Sequence, residues 1–473
     1  MPLYKHKKLW WLLWILFSFG LSGYYANALV GANKHRFLPG KTSSGHYQIE
    51  QQCNVCHSPF GGDQALQQAC VKCHGKELKA VEDSHPKSKF TDPRNADRVA
   101  VLDARLCITC HQEHRPDLTH AMGVTLPTDF CYYCHSKIAK DRPSHKGMAF
   151  DTCSSAGCHN FHDNKALYED FLVKHMNEPV VLPSPHVVQR NLADFLLKTT
   201  NKPVHPLAET DMDAPDGVRK DSEFIKQWAS SAHARGGINC TGCHQVKIAG
   251  VPSAWQDKPV LKVCRSCHND EAEGFLQGKH GMRLAQNLSP MRLEMARHKM
   301  KSDTLHASLG CVSCHGAHAF DPRRAAVKTC LNCHDDEHSK AYKQSKHFQL
   351  WQQEVSGQAK AGTGVSCATC HLPREVHRQQ GLDQVIVQHD QNLNLRPNEK
   401  MIRGVCMQCH GLGFSIDALA DTGLIQNNFK GRPSTHIKSI DMAKRRIKTK
   451  STHTSGGNSN EHLTSPEPRK PQY

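Results

Sequence analysis

Apolar side chains are scarce in this chain: 38% of 473 residues are hydrophobic and only 7% are aromatic. A chain of this length ordinarily builds two or three domains, and so little apolar material cannot fill cores of the usual size. Runs of alternating polar and apolar residues are also missing, which argues against an extensive β-sheet. No cysteine stands outside one recurring pattern, although there are 22 of them. None is left over for a separate disulfide framework or a free reactive thiol.

The pattern is C-x-x-C-H. It occurs at Cys53/Cys56/His57, Cys70/Cys73/His74, Cys107/Cys110/His111, Cys131/Cys134/His135 and Cys240/Cys243/His244. It recurs at Cys264/Cys267/His268, Cys311/Cys314/His315, Cys330/Cys333/His334, Cys367/Cys370/His371 and Cys406/Cys409/His410. A longer form, C-x4-C-H, uses Cys153, Cys158 and His159. Two thiols at this spacing add across the two vinyl groups of haem, and the following histidine meets the iron as proximal ligand. Zinc sites would pair cysteines into four-ligand sets and would not require a histidine after every second cysteine. For Cys153 and Cys158 a local disulfide is the alternative. The expectation is eleven covalent c-type haems, whose macrocycles supply the missing apolar bulk.

The formal charge is +16. A ferric haem with two histidine ligands and two ionised propionates carries about −1, so eleven bring the total to roughly +5. The basic balance is therefore not read as nucleic-acid binding, and most Lys and Arg are expected to face propionates.

The N-terminus carries Lys5, Lys7 and Lys8 before an apolar run from Leu9 to Leu21. Residues 1–30 read as a signal peptide cleaved after Ala26-Asn27-Ala28, or as an uncleaved anchor. Both place the body outside the cytoplasm, since the charges precede the apolar run. We expect a periplasmic body tethered to the inner membrane. The remaining chain divides into a pentahaem module (31–178), a Pro-rich linker (179–221), a hexahaem module (222–440) and a disordered basic tail (441–473). The fold class expected is mostly α with extensive loops, as two haem-packed modules with little or no β-sheet. Helices are expected over 222–233, 291–300 and 338–355, with a short one at 192–197.

Each iron needs a second axial ligand to carry electrons, and an open position makes a potential catalytic site. His114, His162 and His318 each follow a proximal histidine by three residues, and one iron cannot readily take both, so each should reach a neighbouring haem. His46 and His233 each precede the first motif of a group by seven residues. His306 lies five residues before Cys311, His280 and His347 end two similar segments, and His85 and His145 share a Ser-His context. These ten are the candidate distal ligands. His120, His175, His298, His338, His377, His389 and His436 are left as solvent or propionate contacts, some of which must also ligate. Met300, Met401 and Met407 are expected to pack at haem edges.

The segments "YKQSKH", "CVSCHGAHAF", "CATCHLPREVH" and "VCMQCHGLGF" make residues 222–436 resemble the superfamily of octahaem hydroxylamine oxidoreductases and pentahaem nitrite reductases. Residues 46–162, with their C-x4-C-H motif, resemble small multihaem cytochromes of the c3/c7 type. The resemblance implies a haem-packed, mostly helical periplasmic protein. No catalytic residue carries over: no C-x-x-C-K motif occurs, and the one tyrosine beyond His410 is Tyr473. The expected function is a chain of bis-histidine haems carrying electrons in a respiratory pathway, from a quinol-linked membrane donor to a periplasmic acceptor. The alternative is an oxidoreductase of a small nitrogen or sulfur compound with one open haem.

Overall fold

The computed structural model describes residues 3–58, 61–153, 159–164, 167–190, 192, 196, 204–217, 221–246, 254–304, 307–379, 382–395 and 400–454. They are mostly helical, and most helices last only one or two turns. Several motifs occupy single turns of their own: Cys53–Cys56, Cys107–Cys110, Cys240–His244, Cys311–His315 and Cys367–His371. One turn sets positions three apart on the same side, so both thiols of a motif face one way. Local caps fix these turns. The Asn239 side chain accepts from the N–H of Cys240 at 2.8 Å, and Ser366 Oγ accepts from the N–H of Thr369 at 3.1 Å.

The longest helix, Leu3–Ala28, is exposed along its apolar length, with Trp10 and Phe19 at 70% and 76%. Its segment Lys7–Ala28 is long and apolar enough to cross a membrane. The accessible surface is 31589 Å², against roughly 18,000 Å² for a compact chain of this mass. Part of the surplus is this helix; the rest lines clefts between short helices, as the low apolar content implies. β-Structure among the described residues consists of two hairpins, Gln245–Val246 with Ala254–Trp255 and Arg374–Gln379 with Leu382–Val387. The second pairs Val376 with Val385 and Glu375 with Ile386, a β-branched match that suits a pleated surface.

The expected helices fare unevenly. Ser222–Ser230 is helical, capped by Asp221, and buries Trp228, whose Nε1–H donates to the carbonyl of Ile238 at 3.0 Å. The 338–355 helix is two, Glu337–Tyr342 and Lys346–Val355, broken where Ser345 Oγ caps the second. Residues 291–300 are not a helix. Arg292 and Met300 form extended bridges to Ser308 and His334, leaving one short turn at Leu293–Met295. The 192–197 segment lies largely outside the described residues.

The main apolar cluster unites distant parts of the chain: Leu167 and Leu172, then Met401, Ile402, Val405, Leu412, Ile416 and Leu419, then Ile440 and Ala443. Two expected boundaries change as a result. Residues 167–176 follow the fifth motif in sequence but pack with the last motif. The tail expected from 441 begins instead inside a helix, Ser439–Thr454, with Ile440 and Ala443 buried. The Pro-rich stretch differs from a free linker too. Leu182 and His186 donate backbone N–H bonds to the carbonyls of Cys409 and Gln408, and Arg374 reaches the carbonyl of Val188.

The two motif groups touch. Gln48 donates to the carbonyl of Lys279 at 2.6 Å, Arg283 donates to that of Gln48 at 2.8 Å, and Arg297 lies 4.4 Å over the Tyr47 ring. Lys76 pairs with Glu273, and Lys400 with Glu77.

His436 fastens the C-terminal helix, with Nδ1 3.0 Å from Asp417 and Nε2 2.9 Å from Asp441. The bonds to Asp417 and then Asp441 raise its pKa above the usual histidine value. A raised folded-state pKa stabilises most fully below the unfolded value of about 6.5 and is lost as pH rises through the folded one. Amide exchange in residues 439–447 is therefore expected to quicken from pH 6 to pH 9 beyond the intrinsic rate. His436→Ala should abolish that extra dependence.

Candidate functional site

Histidines of the motifs face other histidines across a constant gap. In the first group the ring centres are 5.9 Å apart for His46 and His74, 6.1 Å for His85 and His135, 6.4 Å for His111 and His162, and 6.3 Å for His145 and His159. In the second group His233 faces His268 at 6.0 Å, His318 faces His244 at 5.9 Å, and His280 faces His334 at 6.4 Å. His389 faces His315 at 6.2 Å, His338 faces His371 at 6.0 Å, and His347 faces His410 at 6.2 Å. These distances are too long for ring stacking. An imidazole nitrogen lies about 2 Å from a bound transition metal and about 1.2 Å from its ring centre, so rings sharing one metal stand roughly 6–6.5 Å apart. Among the described residues no group of three or more His, Cys, Asp or Glu converges on a metal position. Two protein ligands per position leave the remaining positions to a macrocycle, and a pair of thiols lies beside each motif histidine to bind it.

Second contacts orient many of these rings. Nδ1–H donates to a backbone carbonyl from His111 (Gly123, 3.1 Å), His244 (Gln256, 2.7 Å), His389 (Val387, 2.8 Å) and His410 (Val180, 2.8 Å). His85 and His338 do the same to Phe161 and Ile425, both at 2.5 Å. His46 and His162 use carboxylates instead, Glu113 at 2.6 Å and Asp83 at 3.1 Å. Burial would raise the Glu113 pKa, but the His46 bond outweighs it and brings the value down to about 2. Desolvation pushes His280, His315, His347 and His371 down to about 4. They are neutral at ordinary pH, the form in which imidazole binds a metal.

Thiols of successive motifs meet. Cys70 hydrogen-bonds with Cys107, Cys131 with Cys153, Cys264 with Cys311, and Cys330 with Cys367. The groups these thiols would hold are therefore neighbours in the order of the chain. Cys158 lies outside the described residues.

Three thiols expected to attach haem depart from this pattern. Cys73 and Cys267 are exposed and Cys134 is half-buried. Each is the second cysteine of a motif whose first cysteine, Cys70, Cys131 or Cys264, makes the contact to the next motif. The reason is positional: when the first thiol turns toward its neighbour, the second is left at the open side of the turn. Cys73 lies near Cys56 and Cys267 near Cys243, while Ser266 Oγ is 3.8 Å from Cys267 Sγ. For Cys73, Cys134 and Cys267 the protein packing thus adds nothing to the attachment role, which rests on motif spacing alone.

Of the ten candidate distal histidines, the structure sets His46, His85, His145, His162, His233, His280, His318 and His347 opposite a motif histidine. His306 lies outside the described residues. His114 has its Nδ1 on the carbonyl of Gly40 at 2.8 Å, and no ring contact joins it to a motif histidine. Among the described residues no imidazole stands at the pair spacing from His57. His338 and His389, expected as solvent or propionate contacts, instead face His371 and His315. His338 sits one helical turn beyond His334, a spacing that could have flagged it. His389 is placed by the hairpin 374–387, which no local motif announces.

Two stretches of the chain, residues 45–136 and 232–334, match the family model described as cytochrome c3. Each stretch contains four of the motifs. A curated relative, the multiheme cytochrome MtrA of Shewanella baltica (strain OS185), is 24% identical over 197 residues, 38% of this chain and 44% of that protein. The chain thus spans less than half the length of that relative. No solved structure matches. The c3 likeness extends into the second group, and nothing in these comparisons supports the hydroxylamine oxidoreductase resemblance of residues 222–436.

Proposed function

We propose that this chain, a multihaem c-type cytochrome, holds eleven haems as a periplasmic electron conduit. Multihaem electron transfer and covalent c-type haem are the properties of its family; the haem count, compartment and pathway belong to the proposal. The observation that carries it is the set of ten imidazole pairs at 5.9–6.4 Å. When bound, haem supplies one-electron exchange at iron. The chain's part is to close both axial positions with neutral imidazoles, fix each ring through Nδ1, and hold successive motifs in contact. Two nitrogen ligands without methionine suit the low end of the haem potential range.

For the eleventh position we assign His114 to the haem of His57. In the second repeat the equivalent pair is His318 with His244, and His114 and His318 share an unusual backbone conformation, φ 64° and 65°. The N-terminal helix would tether the protein to the inner membrane and face a quinol-linked donor, with a periplasmic protein as acceptor. A second reading rests on His57: were its haem left open, that position could bind a small nitrogen or sulfur substrate. Intact mass of the holoprotein, with EPR of the oxidised state, tests both. Eleven haems, all low-spin, are expected. Ten would return Cys153 and Cys158 to a disulfide, and one high-spin ferric signal would favour the oxidoreductase.

A further inference from the structure

The chain contains the same ligand position twice, with one difference. His46 opens the first repeat and His233 the second, facing His74 at 5.9 Å and His268 at 6.0 Å. Behind His46, Glu113 Oε1 lies 2.6 Å from Nδ1, and the backbone N–H of Ser43 donates to Oε2 at 2.7 Å. The carboxylate is thus held in place from two sides. Glu113 immediately precedes His114. The residue preceding His318, its counterpart in the second repeat, is Ala317. No carboxylate is available there, and Nδ1 of His233 is buried without a hydrogen-bond partner. Phe320 stands edge-on to that ring at 4.5 Å.

We infer that Glu113 sets the haem shared by His46 and His74 at a lower reduction potential than its counterpart shared by His233 and His268. The inference rests on the ligand pairing proposed above. An Nδ1–H donated to an ionised carboxylate gives the imidazole more anionic character and makes it a stronger electron donor. A stronger donor stabilises ferric over ferrous iron, which lowers the potential. Without a partner, His233 is the weaker donor, and its iron is the easier to reduce. The next equivalent positions differ in the same sense. His162 is bonded to Asp83 at 3.1 Å, whereas His389 is bonded to the carbonyl of Val387. In the second group the carboxylate contact is longer, 3.6 Å from Asp336 to His334. At these matched positions an electron gains free energy by moving from the first repeat to the second, one ferrous iron being oxidised as one ferric iron is reduced. No bond is made or broken.

Glu113→Gln tests this in the full-length holoprotein, because it removes the charge and keeps an acceptor oxygen. Potentiometric titration followed by EPR should show one low-spin haem with altered g-values. At its former midpoint its reduced-to-oxidised ratio should rise about tenfold, equivalent to ~59 mV for one electron. Haem content and spin state should stay unchanged. Ala317→Glu is the reverse experiment and should lower the midpoint of a different haem, which supports the inference independently should Glu113→Gln fail to assemble. The inference is overturned if every midpoint in Glu113→Gln stays where it was. It is equally overturned if that variant turns one haem high-spin, since Glu113 would then be holding His46 and not tuning it. His46→Ala separates the two ideas: if it opens no haem, the pairing itself is wrong, whatever Glu113 does.

Discussion

Replacing His347 with alanine is expected to give one high-spin ferric haem per molecule and stoichiometric carbon monoxide binding at one iron, both absent from the parent. His347 lies in the first turn of Lys346–Val355 and faces His410 at 6.2 Å. The helix is fixed from below: Ser345 Oγ accepts from the N–H of Phe348 at 3.1 Å and donates to the carbonyl of Tyr342 at 2.7 Å, and the Tyr342 hydroxyl donates to Val365 at 2.8 Å. No neighbouring imidazole is therefore free to swing in as a substitute. Exchanging a strong-field nitrogen for water or an empty position changes the spin state outright, a larger effect than any tuning contact gives. His298→Ala is the matched control, since His298 faces no motif histidine, and its spectra should equal the parent's. A low-spin His347→Ala protein that ignores carbon monoxide would defeat the ligand assignment.

Leu412→Ala is expected to destabilise the fold by about 2–5 kcal/mol, the usual cost of emptying a packed leucine site. Leu412 is fully buried at the centre of the main cluster. Its backbone N–H donates to Glu178 Oε2 at 3.0 Å, and the N–H of Gly411 donates to the carbonyl of Pro179 at 3.1 Å. A Cβ on Gly411 would come within 2.4 Å of that carbonyl oxygen, so only glycine permits the approach. Residues 178–186 are thereby strapped to the last motif, and Val180 orients His410. Limited proteolysis should consequently leave residues 179–190 of the parent intact and cut them readily in Leu412→Ala. Rapid cleavage of the parent there would mean the strap is not held in solution.

That strap shows where the sequence was legible and where it was not. The motif cysteines and histidines announce themselves because covalent chemistry demands their spacing. His46 and His233 were recognisable because both precede a first motif by the same interval, and His114, His162 and His318 because C-H-x-x-H repeats. The pairing was hidden, because a distal histidine is delivered by tertiary packing. His389 reaches His315 only after a hairpin has formed. Pro179, Pro183 and Pro185 read as linker because proline is rare inside regular elements, yet extended chain can also lie along a surface and donate backbone bonds. The tail was misjudged from Asp441 onward because its Lys and Arg dominate the composition. Ile440 and Ala443 contribute too little apolar signal to reveal a docked helix, although Arg446 also reaches Glu169 and Asp170.

The main cluster also dictates an order of assembly. Its members come from residues 167–172, 401–419 and 440–443, so it cannot close until almost the whole chain has been made. Cys370 and Cys406 pack against it, and a thiol already enclosed there would be out of reach of a maturation enzyme. The haems at those two motifs must be attached while the C-terminal third is still open, and the helix Ser439–Thr454 then docks as a late closure. The thiols of the first four motifs carry no such constraint, because they lie outside that cluster. Maturation can therefore begin at the leading end as the chain emerges, but it has a deadline at the trailing end, set by the arrival of residue 443.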